Sequence, residues 1–464
     1  MISLITPFVL VPSQYVIFSL VWASGQFMTG VLFEWLRLAT LRYSAPGLAG
    51  AADRKRVLVA SYIYLTLALL VIIAVSWLFF PFDMWMVYAG AILFAIGQGT
   101  FDGNQAFIRA ARENVAFARN WVIRAVLSIG FVAATSLTLG SGWWTSLALG
   151  VSFGTALMVA RAIDRRSRKD RPVASGATGA RWTEWSILAR YGALAAVSGV
   201  IANAVPTLVR WALVAHLGKG GAAGALLAAD LSQKALAVTG LAVNVVAMQN
   251  SFSAVDTGDA ETIMRANRKQ IAWAFAAVVP VGLFVWLLGN EVAQVLMRPS
   301  YRAVFVASIG PCALGAGLIC IRLFAFDPLF YAFKKAGFSV AGAALSLALC
   351  GLGLYGPELV GVPALNPLTV FWGSAAAGLL ASVAIALAVL RVRPPWSQLG
   401  RIALAAGAVV AVDSVLPRLE GVAGLVLFGA VLGLVYVAAV AALDIVGLRT
   451  ELLVPAIQAR YRKG

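Results

Sequence analysis

About thirteen stretches of roughly 20 predominantly apolar residues follow one another along this chain, and a run of that length spans the ~30 Å hydrocarbon core of a bilayer as an α-helix. They cover 15–36, 57–80, 85–108, 121–141, 143–160, 186–216, 222–248, 270–289, 303–325, 337–354, 367–390, 401–417 and 421–444. A helix is the only open-chain form that satisfies every backbone N–H and C=O inside lipid. The expected fold is therefore all-α, a polytopic membrane protein of about 13–14 transmembrane helices. Composition agrees: 61% of the 464 residues are hydrophobic, 12% are charged and the mean hydropathy is +0.89, which excludes a water-soluble globule of this length.

The net charge of +17 would suggest a nucleic-acid partner in a soluble protein, but here the basic residues are segregated by connection. One set is rich in Lys and Arg: 37–56, 109–120, 161–181, 265–269, Lys334 and Lys335, 391–401 and the tail 459–464. The alternate set, 81–85, 141–144 and 356–367, is nearly free of them, the exceptions on that side being Lys219, Arg298, Arg302 and Arg418. The positive-inside rule places the basic set and the C-terminus in the cytoplasm, so the charge encodes topology and no nucleic-acid partner is expected. Trp77, Trp85, Trp143 and Trp144 sit at the opposite helix ends, where an outer aromatic belt would lie. Cys312, Cys320 and Cys350 lie in apolar stretches without CxxC spacing and read as small core residues, and no cofactor or metal is expected. The start, 1–12, has no basic n-region or small-residue cleavage pattern and is not read as a signal peptide.

The most hydrophilic connection lies near the middle and reads as a cytoplasmic linker, 166–185, between an N-terminal lobe, 1–165, and a C-terminal lobe, 186–390. Two accessory transmembrane helices and a basic tail follow, 391–464. Aligning 10–26 with 217–233 pairs an element of each lobe, ending on Gln26 and Gln233. In the second lobe that element follows a full apolar helix, whereas few residues precede it in the first, so the first helix is expected to be truncated. A repeat of this kind, with binding at the repeat interface, is a common transporter plan.

Six membrane-embedded polar sites stand out: Asp102 with Gln98 and Asn104, Arg124, Arg210, Asp230 with Lys234, Arg322, and Asp413. A charge at the bilayer centre costs roughly 2.5–3.5 kcal/mol or more, so such groups turn toward partners, a cavity or an interface. Arg124 and Arg322 lie near cytoplasmic helix ends, where snorkelling competes with a functional role. Asp230 and Lys234 are one turn apart in the favourable order for an ion pair. Arg210 has no acid within four residues, so its counter-ion is expected from Asp230, Asp102 or a ligand. His216, the single histidine, reads as interfacial. Pro206, Pro280 and Pro311 interrupt helical runs, and Pro206 is a candidate hinge. The Gly150/Gly154 and Gly429/Gly433 pairs read as helix-packing sites. No Walker loop, GxGxxG, HExxH or pair of catalytic carboxylates appears in a soluble segment, so nucleotide-driven transport by this chain alone is not expected.

The stretches 190–218 and 222–236 resemble the oligosaccharidyl-lipid flippases of the MOP superfamily, a polysaccharide biosynthesis family. Tyr191 and Gly192 match its helix-opening Tyr-Gly, while Arg210, Gly218, Gly224 and Gln233 keep its motif spacing. In the first half, 12–26 is similar to the family's Pro-Glu-Glu-Tyr-Gly entry, and 35–43 to the end of that helix. The chain departs from the pattern at Val209, where an Asp is usual, at Leu226 for Tyr and at Val16 for Gly; without the acid beside Arg210, carboxylate-based ion coupling there is in doubt. The resemblance implies two six-helix lobes around a central cavity. It also implies alternating-access translocation of an undecaprenyl-pyrophosphate-linked oligosaccharide across the bacterial inner membrane, beside a polysaccharide polymerase and glycosyltransferases as partners. On that basis Arg210 and Lys234, aided by Arg124 and Arg322, would hold the pyrophosphate, which suits the planar donor fork of Arg. Asn203, Gln233 and Asn244 would meet sugars, and Asp230 and Asp102 would couple an ion. The alternatives are a MATE-like multidrug exporter, disfavoured by the basic bias of the deep charges, and a membrane glycosyl- or acyltransferase. The transferase would need an acid or base in a sizeable outer loop, and those loops carry little beyond Asp83, Glu291 and Glu358.

Overall fold

The computed structural model of the protein describes residues 2–44, 51–111, 113–167, 182–257, 259–333, 335, 337–359, 361, 363, 365–418 and 421–447. Most of the expected linker and the basic tail therefore lie outside the described residues. In chain order the helices are α1 Ile2–Val9, α2 Pro12–Tyr43, α3 Ala51–Ser76, α4 Phe82–Ala110, α5 Asn114–Leu139, α6 Gly142–Ser167, α7 Trp182–Thr257 and α8 Ala260–Leu287. They continue with α9 Gly289–Leu296, α10 Pro299–Ile321, α11 Asp327–Ala332, α12 Gly337–Leu359, α13 Pro367–Leu390, α14 Trp396–Val415 and α15 Gly421–Ala442. The described residues contain no strand, and 12 of their helices are long and apolar enough to cross a membrane, making this a multi-pass membrane protein.

The difference from thirteen lies in α7, where the expected runs 186–216 and 222–248 are two arms of one element. Its apolar part, Gly199–Val243, has 45 residues, which at ~1.5 Å per residue is more than twice the ~30 Å of a hydrocarbon core. The arms meet at Gly218, whose φ of 70° and ψ of 166° belong to a region open essentially to glycine alone. A second difference is at α8, which begins ten residues before the expected run, at Ala260. The basic segment read as a connection forms its first turns, with Arg265 paired to Glu261 at 2.7 Å and Asp259 capping the N-terminus.

The chain divides into two compact units, Met1–Gly220 and Gly221–Gly464. In the first, α2 packs along α4 and α6, and α5 packs on α6. Glycine makes the α4–α6 crossing possible: a Cβ on Gly97 would stand 2.3 Å from the Gly150 carbonyl oxygen. Gly150 thus packs as its spacing suggested, whereas Gly154 faces open space. Phe33 and Leu36 of α2, Leu58 and Tyr62 of α3, and Ile92 and Ala95 of α4 form one buried cluster. The four tryptophans expected in the belt pack in two pairs. Trp77 meets Trp85 edge-on at 4.9 Å, Trp143 meets Trp144 at 4.5 Å, and Trp143 Nε1 donates to the Met86 carbonyl.

The second unit centres on Leu236, Ile271, Val278, Cys320, Phe326, Phe330 and Leu379, with α10 against α8 and α13, and α12 against α13. Cys312, Cys320 and Cys350 are buried free thiols. The α14–α15 pair packs on α8 and α9 through Val409, Phe428, Leu432 and Tyr436.

The structure gives two of the four off-pattern cations local work. Arg302 donates to the Met297 and Gln294 carbonyls, and Arg418 bridges Glu291 at 2.7 Å and Asp413 at 2.9 Å beneath the Phe428 ring. Asp413, singled out as membrane-embedded, is thus ion-paired with Arg418, which it shares with Glu291. Both carboxylates are nearly buried, at 7% and 10% exposure, so R418A strands two charges. It is expected to cost roughly 3 kcal/mol, read as a lower melting temperature in detergent, with E291Q and D413N in the same chain restoring most of the loss.

Candidate functional site

Within the first unit, α2 and α4 face each other through a reciprocal amide pair. Gln26 Nε2 donates to Gln98 Oε1 at 2.9 Å, and Gln98 Nε2 returns the bond at 3.1 Å. One turn along α4, Asp102 accepts from Arg124 Nη1 of α5 at 3.4 Å. Three rings enclose that guanidinium, Phe153 at 4.3 Å, Trp121 at 4.5 Å and Phe101 at 5.1 Å from their centroids. Cation–π attraction strengthens when water is excluded, so the box and the carboxylate together hold Arg124 away from the snorkelling position. Asn104 does not join this group. Residues two apart on a helix face different sides, and Asn104 lines a separate groove against α3.

The first arm of α7 lies on α2, where Trp211 Nε1 donates to Ser24 Oγ at 3.3 Å. Asn203, Thr207 and Arg210 recur at helical spacing on this arm. The Asn203 amide donates to the Gly199 carbonyl and lies opposite Gly30 of α2, and Thr207 donates to the Asn203 carbonyl. Arg210 is 4% exposed, and Pro206 is buried one turn before it, so this guanidinium sits inside protein and not among lipid chains. His216 is exposed.

In the second unit, the second arm of α7 carries buried Asp230 and half-buried Gln233 and Lys234. The side chains of Asn244 and Tyr191 lie outside the described residues. Arg322 opens a five-residue π-helix, Arg322–Phe326, between α10 and α11. It is 2% exposed and its Nη1 has no hydrogen-bond partner among the described residues, so it is buried rather than snorkelling. The widened turn offers the Phe324 carbonyl to Gln270 Nε2 of α8 at 3.2 Å, and Phe324 packs over Gly240 of α7. π-Helical turns concentrate at functional positions because they break the side-chain register and re-aim groups.

Four polar groups of these surroundings escaped the sequence reading. Glu34, paired with Arg37 on α2, was visible as an i, i+3 acid–base pair inside an apolar run. Buried Asn267 was hidden in the basic segment that forms the start of α8, buried Gln270 stood at the first position of the apolar run that follows it, and buried Asp327 adjoins Pro328. No metal-binding group of three or more His, Cys, Asp or Glu occurs among the described residues.

No protein-family model matches the sequence, and no curated protein matches it. Solved structures do match its fold. A multidrug resistance MATE family transporter of the MOP superfamily, in an inward-facing conformation, aligns with TM-score 0.58 and 15% identity over 82% of this chain and 95% of that one. The lipid II flippase MurJ, in an inward closed conformation, aligns with TM-score 0.59 and 11% identity over 93% of this chain and 96% of that one. A MATE structure in the straight conformation aligns with TM-score 0.52 and 13% identity over 82% and 88%. The chain therefore has the MATE/MurJ-like polytopic fold, and transporters of both kinds are built on it.

Proposed function

We propose that this protein is a flippase that moves an undecaprenyl-pyrophosphate-linked oligosaccharide between leaflets of the bacterial inner membrane by alternating access, serving a polysaccharide polymerase and glycosyltransferases. The observation that carries the reading is the burial of basic side chains, Arg210 at 4% and Arg322 at 2% exposure, in a chain with the fold of a lipid flippase. Cations kept inside a membrane protein at such cost suit an anionic cargo. Arg210 and Lys234 take the pyrophosphate, with Arg322 and Arg124 as further contacts; Asn203, Gln233 and Asn244 take sugar hydroxyls. Asp102 competes with the cargo for Arg124, so protonation of Asp102 releases the guanidinium, and Asp230 serves the same coupling role near Lys234. Pro206 is the hinge of its arm, because a proline removes one helical hydrogen bond and permits bending. The protein is not an enzyme in this account. Of the few outer carboxylates, Glu291 is engaged by Arg418.

A cationic-drug exporter is the second reading, favoured by the MATE match of nearly equal score. The two part in a binding experiment on nanodisc-embedded protein. A polyprenyl-pyrophosphate oligosaccharide is expected to quench tryptophan fluorescence saturably while ethidium leaves it unchanged; the reverse pattern selects the exporter.

A further inference from the structure

The first unit also contains a groove that the transport reading does not use. Helix α3 rests on α2 and α4 but stands away from α6, and the gap, of volume ≈ 800 Å³, lies within the size range of ligand sites. One wall is a stripe of α3 from Lys55 through Val59 and Ile63 to Leu67, about 18 Å long at ~1.5 Å per residue. That length is slightly more than one leaflet of a ~30 Å core. The same stripe is open to the membrane, with Ile63 and Leu67 each more than half exposed. Charge is confined to one end. Lys55 of α3, its ammonium 5.7 Å from the Phe107 ring, and Arg161 of α6 stand at the mouth with a single acid, Glu113. Asn104 lies one turn deeper on α4, and below it the walls are apolar except for Thr100 and Thr66.

We propose that this groove holds one resident anionic phospholipid of the leaflet bordered by the basic connections. Its phosphate lies on Lys55 and Arg161, its glycerol ester beside Asn104, and one acyl chain along Val59, Ile63 and Leu67. Charge complementarity selects the occupant, because two cations against one carboxylate leave a positive mouth on a leaflet-long apolar trough. Gly103 shapes the floor: a Cβ there would stand 2.4 Å from the Tyr62 ring, so a larger residue would displace that ring. The inference rests on the membrane-spanning fold and not on the identity of the cargo.

Native mass spectrometry of the full chain, released from vesicles of equal phosphatidylglycerol and phosphatidylcholine, tests it. One phosphatidylglycerol per chain is expected, retained at least about tenfold over phosphatidylcholine, whose phosphate is the same but whose choline sets a further cation beside Lys55 and Arg161; tenfold corresponds to about 1.4 kcal/mol. K55Q with R161Q is expected to bring the ratio near one, and T66W to remove both lipids. R210A, which disables the proposed transport site, is expected to retain the lipid unchanged. Equal retention of the two lipids by the unaltered chain, the mark of an adventitious boundary lipid, overturns the proposal, as does unchanged selectivity in the double variant. Should T66W fail to fold, the selectivity ratio of K55Q/R161Q decides alone.

Discussion

R210A is expected to reach the membrane at normal levels and to lower glycan export roughly ten- to hundredfold, the effect of losing charge-assisted hydrogen bonds of about 1.5–3 kcal/mol. The residue is buried at 4% exposure on an arm anchored to α2 by Trp211 and Ser24, so its loss leaves that helix contact in place. R210K retains the charge but not the planar fork, and an intermediate export rate is expected. Export by R210A at the unaltered rate, with unaltered protein level, would remove this residue from the cargo site.

G97A is expected to be strongly damaging to the first unit. Its methyl would stand 2.3 Å from the Gly150 carbonyl oxygen, a backbone atom that cannot rotate away, so α4 and α6 must separate along their crossing. Overpacking of this kind costs about 1–3 kcal/mol even where side chains can yield. The internal control is G154A, one turn from Gly150 on the same helix and with open space at its Cβ. There the helix preference for alanine, up to ~1 kcal/mol, leaves stability unchanged or raised. The comparison is read as melting temperature and as the monodisperse fraction on size exclusion; equal behaviour of the two variants would contradict the packing described.

Hydropathy exposed the transmembrane runs because the bilayer core favours long apolar stretches and penalises charge, and it placed nearly all of them. It could not tell a loop from the glycine break at Gly218, since both interrupt an apolar run over the same few residues. Nor could it see that 260–269 is helical, because exposed Arg265, Arg268 and Lys269 mask buried Asn267 between them. The polar residues themselves were conspicuous by their cost in lipid. Their partners were not: Arg124 meets Asp102 from another helix, Gln26 meets Gln98 across the α2–α4 contact, and Arg418 gathers Glu291 from far along the chain. Spacing reveals neighbours one turn apart, as at Glu34 and Arg37, and nothing about which helices touch. Gly150 was legible from its repeat, while the Gly97 that answers it was not.

The central claim is that buried cations let an anionic lipid head cross between leaflets. Purified full-length protein in proteoliposomes, loaded on one leaflet with a polyprenyl-pyrophosphate oligosaccharide accessible to a lectin only after crossing, measures it directly. Crossing that R210A slows at least about tenfold, with no uptake of ethidium by the same vesicles, is the predicted result. Ethidium uptake without movement of the lipid, or equal rates for R210A and the unaltered chain, would contradict it.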